Sequence, residues 1–444
     1  MSSRLVRCVG FACAGVFAAA SPVFAQRDLE IPIQFDFINP GARSLALAGA
    51  FIGLADDATA ATTNPAGLQR LARPEISVEG RGWKFFTDFV NGGRLSGITP
   101  NTITATGKGV DTINGPSFAT ISDRVGGIAF LSFVYPKGRW SVAGYRQEAS
   151  RLRGSAVTEG AFFTDFTLGQ DFREYPSVVS RALDVVNYGG SVAYRAGKVS
   201  VGGGMHLSQL DFDSGLIAYE LPSLQEPGFY GPAVYTDERY ASAQEGKDWS
   251  VGYTAGVMVY PTDKFQFGAS YRHGARFEYK GAFVYDDPAF SYLTGTYTAH
   301  FKVPDNIGAG FAVRPFDGLT VAMDVNRVTY SDLNEFIRGQ VVFDPDPTHY
   351  SISDATEVHL GGEYVFTNWR FLPAVRGGFW REGDHSVSYS GSDILYQATS
   401  GLAQAFKHYS IGGGIAPSQR WEVNAGFDFS DRANTMSFSG IFRF

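Results

Sequence analysis

Glu357, His359 and Glu363 are separated by even numbers of residues, so a strand through them places all three on one face, where carboxylates and an imidazole can hold a metal ion. Asp384-His385-Ser386 contains the residue types of a hydrolytic triad, but consecutive residues do not normally converge as nucleophile, base and orienting acid. No G-x-S-x-G, Walker loop, H-E-x-x-H or G-x-G-x-x-G accompanies them. With Arg376 and Arg381 nearby, Glu357, His359 and Glu363 are expected to join an ion-paired, solvated network. No metal, cofactor or catalytic residue is expected, and the chain does not read as an enzyme.

The elements that carry these residues are strands. Of 444 residues, 53 are Gly and 15% are aromatic, while only 18% are charged. That balance favours aromatic-bearing strands joined by many turns over a helical or α/β enzyme. The net charge of -7 and the absence of a basic block argue against a nucleic-acid partner. Trp421, Val423, Ala425, Phe427 and Phe429 alternate with Glu422, Asn424, Gly426 and Asp428, and the same period of two recurs around Phe265 to Tyr271, Leu319 to Val325 and Thr356 to Phe366.

This alternation predicts fourteen strands near 75–86, 125–135, 139–148, 186–196, 198–212, 249–260, 264–280, 298–314, 318–330, 354–367, 371–382, 406–416, 420–430 and 434–444. Connections alternate between tight turns, such as Pro136 to Gly138 and Pro261 to Asp263, and long segments rich in Gly, Ser, Asp, Pro and Tyr; only the last hairpin, near Asp431, departs from the rule. Tight turns at one end, long loops at the other, an even strand number and a terminal Phe444 predict an all-β, antiparallel transmembrane barrel of a Gram-negative outer membrane. Phe444 is then the signal for the barrel-assembly machinery, and membrane lipid is the barrel's surroundings.

Residues 1–25 read as a signal peptide for the Sec pathway. Arg4 and Arg7 precede an apolar run from Cys8 to about Ala20, and Val23-Phe24-Ala25 offers a cleavage site. Both cysteines, Cys8 and Cys13, fall inside it, so the mature chain is expected to lack thiols. After residue 25 no run of 18 apolar residues occurs. Residues 26–73 are too irregular for a strand and too short for a domain, and the barrel occupies 74–444.

Within 26–73 lie Gly41-Ala42-Arg43-Ser44, Ala48-Gly49-Ala50-Phe51, Ala55-Asp56-Asp57-Ala58 and Asn64-Pro65-Ala66-Gly67-Leu68. This stretch resembles the N-terminal hatch of the FadL/TodX family of outer-membrane transporters, with its G-A-R-S-x-A-x-G-G-A opening and its A-D-D-A and N-P-A-G-L continuation. Ala48 stands where the family has the first glycine of the G-G pair. Val303-Pro304-Asp305-Asn306 and the Leu319 to Ser331 strand are similar to a second family pattern.

The resemblance implies a luminal hatch whose gating residues include Gly41, Arg43, Gly49, Asp56, Asp57, Asn64, Pro65, Ala66 and Gly67. Asp56 or Asp57 can cap a short helix and Asn64-Pro65 can form a turn. It also implies facilitated diffusion of long-chain fatty acids or other hydrophobic compounds, released as the hatch shifts and leaving sideways through a kinked third strand. The predicted third strand contains Gly144 but no proline, so the kink is not legible there. Pro304 and Pro373, inside other predicted strands, are the candidate kinks, although a proline also commonly starts a strand. Phe162, Phe163 and Phe166, with Phe172, Tyr175, Phe229 and Tyr230, are candidate ligand contacts at an apolar mouth, or else loop-to-loop packing. The alternative function is a barrel adaptor anchoring secreted surface proteins, which a lumen sealed by Asp324, Glu357, Glu363 and Arg272 would favour.

Overall fold

A strand with apolar side chains outward and polar ones inward buries the wrong face for a water-soluble sheet, and this inverted sense runs through the whole wall. Val325 is 41% exposed while its neighbour Asp324 is 0% exposed, and Val423 at 48% sits beside Asn424 at 1%. Such a wall puts its apolar face against lipid and its polar face into a lumen. The computed structural model describes residues 39–94, 106–111, 115–165, 170–223, 225–286, 294–340, 346–392 and 405–444. The predicted signal peptide and Phe166 lie outside them.

Fourteen strands form the barrel: β1 (Glu75–Gly93), β2 (Pro116–Lys137), β3 (Trp140–Thr158), β4 (Ser177–Ala196), β5 (Val199–Tyr219), β6 (Glu238–Thr262), β7 (Phe265–His273 and Arg276–Tyr285), β8 (Gly295–Lys302 and Asn306–Val313), β9 (Leu319–Val328), β10 (Ala355–Val365), β11 (Ala374–Glu382), β12 (Phe406–Ser418), β13 (Trp421–Phe429) and β14 (Ala433–Arg443). Each pairs antiparallel with its sequence neighbours over at least part of its length, and β14 returns to β1 from Ala433↔Phe85 to Arg443↔Glu75, so the sheet closes on itself. Phe444 N then donates to Pro74 O at 3.0 Å, fastening the chain end at the closure.

Strand heights are unequal. β1 to β6 run 19 to 25 residues, whereas β9, β10, β11, β13 and β14 run 9 to 11. About 10 tilted residues cross a bilayer, so one flank stands well above the other on the long-loop side.

Pro304 sits in the break between the two halves of β8, as expected of a proline that removes a ladder donor. Pro373, by contrast, lies in the tight turn before β11 and kinks no strand; its ring meets the sheet only at the strand's start.

Inside the barrel, residues 39–73 form α1 (Ala42–Ala46), α2 (Ala60–Thr63) and a 3-10 turn over Pro65–Arg70, almost wholly buried. Asp57 Oδ1 accepts from Thr59 N at 2.9 Å just ahead of α2, and Pro65 opens the 3-10 turn. Close approach to the wall depends on bare backbone: a Cβ on Gly426 of β13 would lie 2.4 Å from Ala42 O, and one on Gly361 of β10 2.5 Å from Leu47 O. Gly49 has φ +75°, but its neighbour Ala48, also left-handed at φ +55°, carries a Cβ there. That conformation costs a non-glycine residue on the order of 1 kcal/mol. Ala48→Gly is therefore expected to stabilise the detergent-solubilised protein by up to about 1 kcal/mol, the relief of strain exceeding the entropy that glycine adds to the unfolded chain. An earlier thermal unfolding midpoint in the variant would contradict this.

Candidate functional site

The hatch is tethered around the wall by luminal polar side chains. Arg43 donates through Nε and Nη2 to the two oxygens of Glu363, each at 2.9 Å, and through Nη1 to Asp56 at 2.6 Å. Glu363 also takes Arg376 Nε at 2.6 Å, and Asp56 takes Arg314 at 3.2 Å. On β9, Asp324 accepts the backbone N–H groups of Phe51, Ile52 and Gly53 at 2.5, 2.6 and 3.2 Å, an anion nested in three donors. Glu79 accepts Gly41 N at 2.7 Å, Gln266 donates to Gly53 O and Leu54 O, and Asn64 Nδ2 donates to Ile52 O and Val257 O. Ser191 and Ser200 donate to Ala61 O and Ala66 O, and a Cβ on Gly67 would meet Ala55 O at 2.1 Å.

Glu357, His359 and Glu363 do share the inward face of β10; His359 Nε2 lies 3.5 Å from Glu357 Oε2, but Glu363 is turned to other partners. Glu363 belongs to Arg43 and Arg376, His359 Nδ1 lies 2.7 Å from Ala48 O, and Glu357 accepts from Tyr330. Among the described residues no His, Asp and Glu cluster suited to a metal is present. In 384–386, Ser386 Oγ donates to Asp384, while His385 turns to Gly383 O and Arg432, so the three make no nucleophile–base pair.

Above the hatch, away from the tight turns, the lumen becomes apolar. The centre of this region is Phe336 on α3 (Asn334–Gln340), a short helix in the β9–β10 connection, with ring centroids 5.8 Å from Phe212, 5.8 Å from Tyr279 and 5.3 Å from Phe301. Trp83, Leu152 and Ile337 belong to the same cluster. Below the hatch, at the tight-turn end, a cavity of about 220 Å³ is lined by Asp56, Arg70, Arg73, Glu75 and Arg443. An apolar solute thus has matching surroundings above the hatch and charged ones below it.

The wall beside the apolar cluster is incomplete. β1 and β2 pair up to Gly93↔Pro116, and β3 and β4 pair up to Thr158↔Ser177, but the β2–β3 ladder stops at Phe130↔Gln147. A bulge at Glu148–Ser150 turns β3 away at this level. Side chains take over where backbone pairing ends: Arg151 Nη1 donates to Gly126 O at 3.1 Å, Arg146 donates to Ile128 O, and Trp83 Nε1 crosses from β1 to Arg151 O at 3.1 Å. Side-chain bonds can rotate open without unzipping a strand, and Trp83 lies where the seam meets the apolar cluster.

On the long-loop side, Phe162 is fully buried between Phe229, edge-on at 5.5 Å, and Tyr230, stacked at 5.4 Å, with the guanidinium groups of Arg94 and Arg173 over its ring. Phe163 stacks on Phe172 at 5.5 Å across a small hairpin. Phe162 thus packs one loop against another, and Phe163 packs within its own. Arg94 pairs with Asp111 at 2.8 Å and with Asp171 at 2.8 Å, joining the first two long loops. Burial pushes the Asp111 carboxyl up, but its hydrogen bonds with Arg94 and Thr106 outweigh this and hold it below the ordinary carboxylate range.

The residues that sequence reasoning missed are Phe336 and Trp83. Tyr330, Leu333, Phe336 and Ile337 carry helical spacing inside a connection read as a loop, a usable signal; nothing local marks Trp83.

Taken together, these features define an outer-membrane barrel with a luminal hatch, an apolar chamber and a side seam. The sequence profile described as outer membrane protein transport protein (OMPP1/FadL/TodX) matches residues 154–437, more than half of the chain, and the chain belongs to that family. A Pseudomonas aeruginosa FadL homologue has the same fold, with a TM-score of 0.62 at 14% identity over 94% of this chain and 100% of its own. The CymD monoaromatic hydrocarbon channel (TM-score 0.56, 16% identity, 93% and 99% coverage) and the Pseudomonas putida toluene transporter TodX (0.56, 15%, 92% and 99%) are also similar in structure. A search of curated protein sequences gives no match.

Two outcomes test this geometry. Arg43→Ala leaves Glu363 and Asp56 without their shared cation and should loosen the hatch by on the order of 3 kcal/mol, seen as higher ion conductance in planar bilayers; unchanged conductance would show that the tether is dispensable. Because the Asp111 carboxyl is depressed in the folded state, its contribution to the loop latch is present at neutral pH and is lost as pH falls through and below the ordinary carboxylate range. Amide exchange around Asp111 should accelerate on acidification beyond the intrinsic pH effect in the wild type and not in Asp111→Asn.

Proposed function

We propose that this protein carries apolar small molecules, such as monoaromatic hydrocarbons or long-chain fatty acids, by facilitated diffusion across the outer membrane. The observation that carries this reading is the position of the Phe336 cluster directly above a charged, tethered hatch and directly beside the Trp83 seam. A solute descending from the long-loop side displaces Phe336, meets charged groups below, and is turned aside toward lipid. The hatch acts as a floor that directs the solute, and the β2–β3 seam is its lateral exit. Burying a ring or chain in the cluster gains about 25 cal/mol per Å² of apolar surface, an advantage lost on entering the charged cavity beneath.

Two of the four charges that would seal an adaptor's lumen are taken up by the hatch: Asp324 binds its backbone and Glu363 binds Arg43. Uptake of radiolabelled toluene and of oleate by cells with and without the protein tests the proposal. Expression should accelerate at least one of the two, and Phe336→Ala, which removes the ring filling the chamber, should accelerate it further. Equal uptake with and without the protein for both compounds would remove the reading for these substrate classes.

A further inference from the structure

A second interruption lies four strands round the wall from the first. The β6–β7 ladder runs from Thr262↔Phe265 to Tyr253↔His273, stops, and resumes at Glu245↔Lys280, leaving residues 246–252 and 274–279 outside it. The two ladder segments are out of register by one residue, so the strands cannot close the gap by simple zipping. One side-chain bridge spans it, Asp248 Oδ2 accepting Glu278 N at 2.9 Å.

The gap coincides with the breaks in β7 and β8. There, Gly274 N donates to Asp305 Oδ1 at 3.0 Å, Val303 N donates to Ala275 O at 3.0 Å, and Tyr271 OH donates to Asp305 Oδ2 at 2.6 Å. The Asp305 knot fixes the outer end of each lower strand half, so the gap has a firm lower edge. A Cβ on Gly274 would fall 1.9 Å from Val303 O, and only glycine permits this crossing.

Behind the gap is a small luminal cavity of about 20 Å³, in which Ala149 of β3, Ala275 of β7 and Val303 at the β8 break face a polar side made by Gln147, Asn187, His206, Ser208, Arg272 and His273. Its lining thus includes residues of the β3 bulge at the first seam and of the β7 break at the second. Ala149 and Ala275 are both members of the apolar cluster around Phe336. Outside, β6 carries exposed Trp249, Val251 and Tyr253 below exposed Lys247, and β7 faces them with exposed Glu278 and with Arg276, which pairs with Glu335 of α3 at 2.9 Å. Tyr188 and Trp249, with ring centroids 6.1 Å apart, add an outward aromatic pair. Aromatic residues below charged ones mark the boundary between hydrocarbon and headgroups.

We propose that the β6–β7 gap is a second lateral portal, through which apolar solutes pass between the luminal chamber and the outer-leaflet boundary, in parallel with the β2–β3 seam. This rests on the transport reading for its purpose but not for its existence as an opening. In a background with Cys8 and Cys13, the native cysteines, changed to serine, Ala275→Cys places a thiol just inside the gap. Ala193→Cys places one inside the continuously paired wall of β4. In lipid vesicles, N-(1-pyrenyl)maleimide dissolved in the membrane should label position 275 roughly tenfold faster than position 193, because one is reached through a seam and the other only by local unfolding. Equal rates would overturn the portal whatever the protein transports.

The paired variant Asp248→Cys/Glu278→Cys, oxidised, should close the gap and slow toluene release into vesicle lipid. Oxidised Gly126→Cys/Arg151→Cys should slow it separately, the two locks together should abolish it, and reduction should restore it. A β6–β7 lock without effect, beside a β2–β3 lock that abolishes release alone, would also overturn the proposal. If the wild type releases no more toluene than empty vesicles, the transport reading fails for that solute while the labelling ratio still decides whether the wall opens.

Discussion

Pairing the backbone's polar groups in hydrocarbon is the constraint on which this structure depends. It forces the sheet to close, β14 onto β1, and it makes every lapse in the ladder costly unless something else supplies donors and acceptors. At the β2–β3 seam, Arg146, Arg151 and Trp83 supply them. The wall is therefore of two kinds, continuous backbone ladder and a seam held by side chains, and the second lacks the cooperative pairing of the first.

The hatch follows from the same economy on the luminal face. A barrel of this width must fill its interior or leave it to water. Here, small residues pack flat against wall glycines, while wall side chains take up hatch polar groups: Asp324 three amide groups, Glu363 the Arg43 guanidinium, and Gln266 two carbonyls. A floor held by charge and a chamber lined by rings impose opposite preferences on a greasy molecule, and the seam lies at their junction.

Much of this was legible in the amino-acid order because period-two alternation and alternating turn lengths are imposed by the bilayer itself. Strand number, closure direction and the hatch motif could all be read. Strand height could not: β1 was expected to end near residue 86 but continues to Gly93, because above the lipid the outward positions no longer need to be apolar. The two prolines show the same limit. Pro304 sits in a break and Pro373 in a turn, and only three-dimensional pairing tells them apart. The kink in the third strand comes from one extra residue near Ala149, which needs no proline and leaves no local mark. Phe162 was a candidate contact by composition, yet in the structure its ring is enclosed by Phe229, Tyr230 and two arginines.

The lopsided rim has a consequence of its own. Where β1 to β6 rise as a palisade of backbone ladder, β9 to β11 end lower, and the described residues of their connections carry the rim on, α3 beside β8 and Tyr350–Ser351 paired with Ser388–Tyr389. One side of the mouth is thus masonry and the other thatch: strand pairing sets the height of the first, while side-chain packing around Phe336 holds up the second.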